Sequence, residues 1–301
     1  MMVGPMLRRN ALCAIAMLVA GGVRLFGDDA GYQAQIAEWR KNYDHDLRSE
    51  KGPLWLIARH NVPQGRTEIG SAASNAIRLP DRAPQRVGTI ERRGDKITIA
   101  PAAGVTLKLN GQPISGPSGL RTGVAPEPSD RLEFGDFQIA MSIIDGNCQL
   151  TVRDRQSSLL KTFRGAVWFP ANAGYRVEAA FTPYPHPKEL KIPDTTGRTR
   201  TRQAPGYVTF RLNGQTLRLE PVAIGNELFF MFKDQTSGRE TYGAGRFLDS
   251  EMPKNGKVVL DFNKAYNPYC ALNPYSSCPI PPKENTLITR VEAGEKYRGA
   301  H

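Results

Sequence analysis

Two blocks in the second half of the chain concentrate side chains that could bind a ligand or carry out chemistry. The first, FKDQTSGRETYGAGRFL, covers residues 232–248, and the second begins with DFNKAYNP at residue 261. Carboxylates, a guanidinium, amides and phenols around an apolar opening are typical of small-ligand pockets. The sequence therefore predicts a ligand site in the C-terminal half, built from Asp234, Thr236, Tyr242, Arg246, Asp261, Asn263, Tyr266 and Asn267.

The same side chains support two alternative interpretations. In an extracytoplasmic hydrolase, Asp234 or Asp261 would act with Arg246 and Tyr242. In a purely structural role, an internal Arg–Asp hydrogen-bond network would hold an irregular C-terminal loop, because buried polar groups need partners. The sequence has no Gly-x-Ser-x-Gly elbow, no HExxH, no phosphate-binding loop and no dinucleotide fingerprint. Catalytic residues therefore stay unassigned, and no cofactor is expected.

Cysteine spacing predicts how the C-terminal loop is tied. Beyond residue 27 the chain has Cys148, Cys270 and Cys278. In an oxidising compartment Cys270 and Cys278 are close enough in sequence to form a disulfide, with free thiols as the alternative. The four histidines form no pair at ligand spacing and no CxxC occurs, so no metal site is expected. We expect Cys148 to be a small buried side chain.

The first residues have the layout of a signal peptide. Arg8 and Arg9 precede the apolar run NALCAIAMLVAGGV, and small residues follow it. Because this run is short for a membrane span, we expect residues 1–27 to be cleaved, with an uncleaved anchor as the alternative. The mature protein would be extracytoplasmic, either periplasmic or secreted, and would have no stable membrane span.

The charge of the chain bears on its partners. A formal net charge of +11 can steer anionic partners such as phosphates or anionic envelope components, with a generally basic protein as the alternative; the expected partner is a small molecule or an envelope component. No nucleic-acid-binding module is recognisable, so nucleic acid is not expected. Arg198, Arg200 and Arg202 alternate within the polar, proline-rich segment 182–206. This segment is interpreted as an exposed, solvated loop, with a grip on an anion as the alternative.

Hydrophobic periodicity divides the chain into a helix and two β units. A stripe at steps of three and four residues predicts an amphipathic helix within 28–53, formed by Tyr32, Ile36, Trp39, Tyr43 and Leu47. Short alternating segments then predict an antiparallel β-sandwich over 54–156 and a second antiparallel barrel or sandwich over 157–301. Asn110-Gly111 and Asn213-Gly214 predict two-residue hairpin turns. The fold class is therefore mainly β.

Several segments resemble the bacterial proteins grouped as domain of unknown function 1684. The matching segments are GSAASNAIRLP (70–80), FRGAVWFP (163–170), FKDQTSGRETYGAGRFL (232–248) and DFNKAYNPYCALNPYSSCPIPPKENTL (261–287). The resemblance implies a shared architecture and a recurrent polar segment. It carries no activity, and the expected function is the binding of a small or envelope-derived ligand.

The first β unit also resembles a forkhead-associated (FHA) sandwich. IGSAASNAIRLP, RVGTIERRGDKITI and LKLNGQPI follow that module's order of glycine turn, Asn, strand and late Asn-Gly. Ser71 stands where such modules place the phosphate-gripping Arg, so the resemblance implies the fold and not phosphothreonine recognition. A further alternative function is a structural module that docks onto an envelope protein through this half.

Overall fold

The computed structural model describes residues 29–123, 129–144 and 146–299. The predicted signal peptide at 1–27 lies outside these residues. Within them, none of the helices combines the length and the apolar character needed to cross a membrane.

The chain enters the fold through helix α1, Asp29–Arg48. Tyr32, Ile36 and Leu47 are 9%, 1% and 0% exposed, so the predicted apolar stripe is the face that packs against the body. The helix ends at Arg48, and a 3₁₀ turn follows at Pro53–Trp55. Gly52 permits this exit because a Cβ there would overlap the carbonyl oxygen of Leu47.

Eleven strands in the described residues form the first β unit. They are β1 (Leu56–Asn61), β2 (Gly65–Gly70), β3 (Ile77–Arg78), β4 (Gly88–Arg93), β5 (Lys96–Pro101), β6 (Leu107–Leu109), β7 (Gln112–Ile114), β8 (Ser118–Leu120), β9 (Arg131–Phe134), β10 (Phe137–Ile144) and β11 (Asn147–Asp154). A six-stranded sheet has the order β1-β11-β10-β9-β6-β7, and a five-stranded sheet has the order β3-β2-β4-β5-β8. All pairs are antiparallel except β2 with β3.

The two sheets share one apolar core, as a sandwich requires. Ile69, Ile90 and Ile99 come from the five-stranded sheet, and Leu132 and Leu150 from the six-stranded sheet. Strand β11 alternates inward and outward residues, which places Cys148 in this core at 1% exposure. The prediction that Cys148 is a buried side chain is therefore confirmed.

Nine further strands and a short helix, α2 (Ser158–Thr162), form the second unit. The strands are β12 (Val167–Trp168), β13 (Arg176–Pro193), β14 (Thr199–Leu212), β15 (Gln215–Leu219), β16 (Val222–Ile224), β17 (Glu227–Phe232), β18 (Arg246–Glu251), β19 (Lys257–Asp261) and β20 (Glu295–Lys296). The sheets are β15-β14-β13-β19, β16-β17-β18 and the pair β12-β20. Further 3₁₀ turns lie at Ala173–Tyr175, Phe262–Lys264, Tyr269–Ala271 and Lys283–Asn285.

The second unit is also built on a shared core. Val208 and Phe210 of the four-stranded sheet contact the same cluster as Leu228, Phe230 and Leu248 of the three-stranded sheet. None of the sheets in the described residues closes into a barrel, so of the two predicted architectures the sandwich is the one observed. The protein is thus mainly β, with one long N-terminal helix.

The two predicted Asn-Gly hairpin turns are present. The interpretation of 182–206 as a loop is wrong. Asn110 and Asn213 have φ of 50° and are followed by Gly111 and Gly214 at 84° and 77°, as the predicted turns require. In contrast, the segment 182–206 belongs to the long antiparallel hairpin of β13 and β14, which pair from Ala180–Thr209 to Pro193–Thr199. A register shift between Pro183 and Lys188 accommodates its prolines.

Candidate functional site

Asp234 and Arg246 form a buried ion pair. Arg246 Nη2 lies 3.3 Å from Asp234 Oδ1, and both side chains have 0% exposure. Arg246 also donates to the carbonyl oxygens of Ala293 and Val291, while Asp234 Oδ2 accepts the Val291 N–H at 2.7 Å. Burial lowers the pKa of Arg246, although the Asp234 carboxylate opposes that shift. The pair thus fastens residues 291–293 to the ends of β17 and β18.

Thr236 completes this network within the turn that follows β17. Its hydroxyl lies 2.9 Å from both carboxylate oxygens of Asp234 and 2.9 Å from the Thr241 hydroxyl. Thr236 and Thr241 are 0% and 1% exposed. No oxygen of Asp234 is therefore left for a ligand, and the geometry is that of the internal network alternative.

Asp261 and Asn263 attach helix α1 to the second unit. The Tyr32 hydroxyl donates to Asp261 Oδ1 at 2.7 Å and accepts from Asn263 Nδ2 at 2.8 Å. Asn263 Oδ1 also accepts the Asn172 N–H at 2.9 Å. Burial and the Asp261 carboxylate raise the pKa of Tyr32, so the phenol stays protonated as the donor. These side chains join three separate segments of the chain.

Asn267 contacts Glu295, a buried carboxylate that is not among the predicted site residues. The Asn267 N–H donates to Glu295 Oε2 at 2.7 Å, and the Tyr43 hydroxyl donates to the same oxygen at 3.1 Å. Burial raises the pKa of Glu295 to about 7, against these hydrogen bonds. The Tyr266 hydroxyl instead donates to Asp249 Oδ2 at 2.8 Å.

The predicted disulfide between Cys270 and Cys278 is absent, and the structure has both as free cysteines. The Cys270 N–H donates to Cys278 Sγ at 3.2 Å, and the Tyr242 hydroxyl lies 3.8 Å from Cys270 Sγ. Hydrogen bonds from Cys278 first and then Tyr242 lower the pKa of Cys270 to about 7. The loop is tied without a covalent bridge, because the Asn273 amide donates to the carbonyl oxygens of Pro53 and Leu56.

The two predicted blocks meet, but their polar side chains do not share a cavity. Phe247 and Tyr266 exchange backbone hydrogen bonds of 2.8 and 2.9 Å, which joins β18 to the second block. Asp261 borders a cavity of about 700 Å³, whereas Tyr266 borders another of about 240 Å³. The other candidates are enclosed or partly enclosed in the contacts described above: Asp234, Thr236, Tyr242, Arg246, Asn263 and Asn267.

A different cavity gathers arginines over an apolar floor. It has a volume of about 360 Å³ and lies between the tip of the β13–β14 hairpin and the first β unit. Arg59, Arg198, Arg200 and Arg202 line it. The apolar lining consists of Ile144, Ile192, Val222, Ile224, Phe229, Met231 and Pro279. We call this space the arginine cavity.

Strand register explains why these residues converge. Arg200 is directly opposite Ile192 in the β13–β14 pair, and Val222 is directly opposite Phe229 in the β16–β17 pair. Directly opposed residues project to the same face of an antiparallel sheet, so the alternating arginines share a face with Ile192. The Ile280 N–H donates to the Pro193 carbonyl oxygen at 2.7 Å, which brings residues 277–279 to the same edge.

The arginine cavity has an uncompensated positive charge. Within the described parts of the chain, no ion pair or side-chain hydrogen bond involves Arg59, Arg200 or Arg202, and the buried Arg59 Nε has no partner. Arg198 is paired with Asp194 at 3.4 Å. Burial alone would raise the pKa of Asp194, but hydrogen bonds from Thr196 and its other neighbours lower it to about 2. Asp194 therefore satisfies Arg198 and leaves three cations without a counterion.

Two larger cavities lack this property. In the one of about 890 Å³, Arg86 pairs with Glu68 at 2.7 Å. In the one of about 700 Å³, Lys257 pairs with Glu178 at 2.5 Å. Their charges are largely neutralised by protein groups, so cavity size is not what distinguishes the candidate site.

None of the eight predicted site residues lines the arginine cavity. From the sequence, Arg198, Arg200 and Arg202 were named only as an alternative grip on an anion; Arg200 and Arg202 alternate within β14 and so share one face. That reading required recognising 199–212 as a strand. Arg59 had no local signal, because it reaches the cavity from β1 in the other unit.

Parts of the chain are similar to known proteins. Residues 161–296 match the family model described as "Protein of unknown function (DUF1684)". An uncharacterized protein of Haloarcula marismortui, solved by solution NMR, is 33% identical over 45% of this chain and 78% of its own, with a TM-score of 0.39. The FHA structure of Rv0020c is 20% identical over 31% of this chain and 76% of its own, with a TM-score of 0.22. None of the curated proteins compared with the chain matches it.

The fold therefore defines a mainly β protein with two sandwich units and an N-terminal helix. Residues 161–296, a little under half of the chain, match the DUF1684 family model, whose description assigns no function. Of the residues that line the arginine cavity, Arg59 and Ile144 lie outside the matched region.

Proposed function

We propose that the protein binds a small anionic ligand in the arginine cavity. The observation that carries this proposal is the convergence of Arg59, Arg200 and Arg202, which have no acidic partner in the described residues, on one concave space. Guanidinium groups are suited to carboxylates and phosphates because their fixed donors can form paired, charge-assisted hydrogen bonds. A bound anion would also supply the partner that the buried Arg59 Nε lacks.

The proposal includes export of the protein. The signal-peptide layout of residues 1–27 supports an extracytoplasmic protein whose ligand is a small molecule or an envelope component. Sequencing the N-terminus of protein taken from the periplasm or the medium tests this part. A mature protein that begins shortly before α1 is expected, and recovery of Met1 only from the cytoplasm would contradict export.

Anion binding is tested by removing two cations from the exposed rim. We expect Arg200→Gln combined with Arg202→Gln to weaken the binding of butyl phosphate, measured by isothermal titration calorimetry, by at least about tenfold. Arg211→Gln is the matched control, because Arg211 is an exposed arginine on the same strand and does not line the cavity. Equal affinity in all three proteins would refute the proposal.

The two alternative functions have less support. For hydrolysis, Asp234 and Asp261 already accept hydrogen bonds from Arg246 and Tyr32, so neither is a free carboxylate facing a ligand. For docking through the first β unit, an exposed apolar patch would be expected. The large apolar side chains that are exposed in the described residues all lie beyond residue 223.

A further inference from the structure

The floor of the arginine cavity is hydrocarbon. Ile192, Val222 and Met231 line it and are 4%, 2% and 1% exposed. Phe229 and Ile224 extend this surface toward the mouth, where Ile224 is 56% exposed. A site for a fully hydrated inorganic anion would gain nothing from such a floor, because apolar walls offer no hydrogen bonds.

We infer that the ligand is a single-chain anionic amphiphile, with its head group on the arginines and its tail on the apolar floor. This inference rests on the proposed function and adds the chemistry of the ligand's other end. Arg200 and Ile192 are directly opposed, with Cβ atoms about 5 Å apart, so a cationic and a hydrocarbon side chain project side by side from one face. A ligand with an anionic head group joined directly to an alkyl chain would contact both.

The environment of the arginines supports the same chemistry. Burial lowers the pKa of Arg59, and the nearby Arg198 cation lowers it too. A head group between these guanidinium groups would relieve their repulsion, while a tail would cover the exposed face of Ile224. The cavity volume of about 360 Å³ lies near the lower end of ligand pockets, which suits one short chain better than a two-chain lipid.

A series of straight-chain alkyl phosphates from ethyl to octyl, kept below their micelle concentrations, tests the inference by calorimetry. We expect the dissociation constant to fall by about fourfold for each added methylene until the floor is covered, and then to level off. Ile224→Asn should flatten this dependence on chain length. Ile288→Asn, which changes another exposed isoleucine that does not line the cavity, should leave it unchanged.

The outcomes separate this inference from the proposed function. If all chain lengths bind equally and the Arg200→Gln, Arg202→Gln double variant weakens them all, anion binding stands and the amphiphile is refuted. Affinity could instead rise with chain length while the double variant binds the alkyl phosphates as tightly as the wild type does, and the wild type binds matching alkyl alcohols as tightly as the phosphates. That result would refute the anionic head group. If only phosphatidylglycerol vesicles bind and monomeric alkyl phosphates do not, the ligand is a bilayer surface and the inference of a free single chain fails.

Discussion

Arg246 Nη2 and Asp234 Oδ1 lie 3.3 Å apart in a pair whose two side chains are completely enclosed. The remaining hydrogen bonds of Arg246 go to the backbone of Val291 and Ala293. The pair therefore links the end of β17 and the start of β18 to a late segment of the chain that has little regular structure of its own. Its role in the described structure is to position backbone.

Arg246→Ala should destabilise the protein by about 3–5 kcal/mol, because it leaves the buried Asp234 carboxylate without its counterion and two buried carbonyl oxygens without their donor. Chemical denaturation followed by tryptophan fluorescence measures the change in the free energy of unfolding. Arg290→Ala is the control, since Arg290 pairs with Glu240 and Glu292 near the surface and should cost little. A variant of Arg246 as stable as that control would contradict the structural role.

The raised pKa of the buried Glu295 should make the stability of the protein depend on pH. Its pKa of about 7 lies above the value of 4.5 expected when the chain is unfolded, so the folded state binds the proton more tightly. Stability from this group is fully present below about pH 4.5 and is lost as the pH rises through 7. Glu295→Gln keeps an acceptor for the Asn267 N–H and removes the ionisation.

The advantage of Glu295→Gln over the wild type should therefore grow by about 2–3 kcal/mol between pH 5 and pH 8. Urea unfolding at several pH values measures it. Glu189→Gln, which changes an exposed carboxylate, should show no such trend. A constant difference between Glu295→Gln and the wild type across this range would show that Glu295 is not protonated preferentially in the folded state.

The three described cysteines should differ sharply in reactivity. Burial raises the pKa of Cys148, and the hydrogen bond with Cys270 raises the pKa of Cys278, whereas the pKa of Cys270 is lowered to about 7. Because the thiolate is the nucleophile, reduced protein at pH 7.5 should be alkylated by iodoacetamide first at Cys270. Peptide mass spectrometry at short times measures the order.

Tyr242→Phe tests whether the Tyr242 hydroxyl contributes to the lowered pKa of Cys270. It removes a hydrogen bond that favours the Cys270 thiolate, so alkylation of Cys270 at pH 7.5 should slow several-fold. Tyr297→Phe, on the ring that stacks edge-on against Tyr242, should leave the rate near that of the wild type. Similar labelling rates at Cys270 and Cys278 would contradict the assignment.

Local features of the sequence predicted local structure well. The stripe from Tyr32 to Leu47 and the two Asn-Gly turns depend on spacing and on backbone freedom within a few residues. The hairpin of β13 and β14 was missed because its prolines and charges conceal the alternation of a strand whose outer face is solvated. The tip of this hairpin is held by backbone hydrogen bonds from Thr195 to Cys278 and from Ile280 to Pro193, so its partners lie about 85 residues further along the chain.

The predicted site also depends on contacts between residues that are far apart in the sequence. Asp234, Arg246 and Asp261 were predicted as ligand-site residues, and the sequence does not reveal that they are bonded instead to Val291, Ala293 and Tyr32. The abundance of Asn in the C-terminal loop has a physical reason that composition alone did not show. Asn273 and Asn285 are buried amides, and each donates to two carbonyl oxygens of distant segments. These hydrogen bonds fix the C-terminal loop in the way that was predicted for a disulfide.

Helix α1 has contacts that constrain the order of events during synthesis. Its Tyr32 bonds to Asp261, 229 residues further along, and its Tyr43 bonds to Glu295, 252 residues further along. A nascent chain growing from its N-terminus thus lacks the hydrogen-bond partners of the Tyr32 and Tyr43 hydroxyls until nearly all of the described residues have left the ribosome. Until then the part of the apolar stripe around Tyr32 stays uncovered, so a chaperone that holds emerging chains would find an early binding segment there.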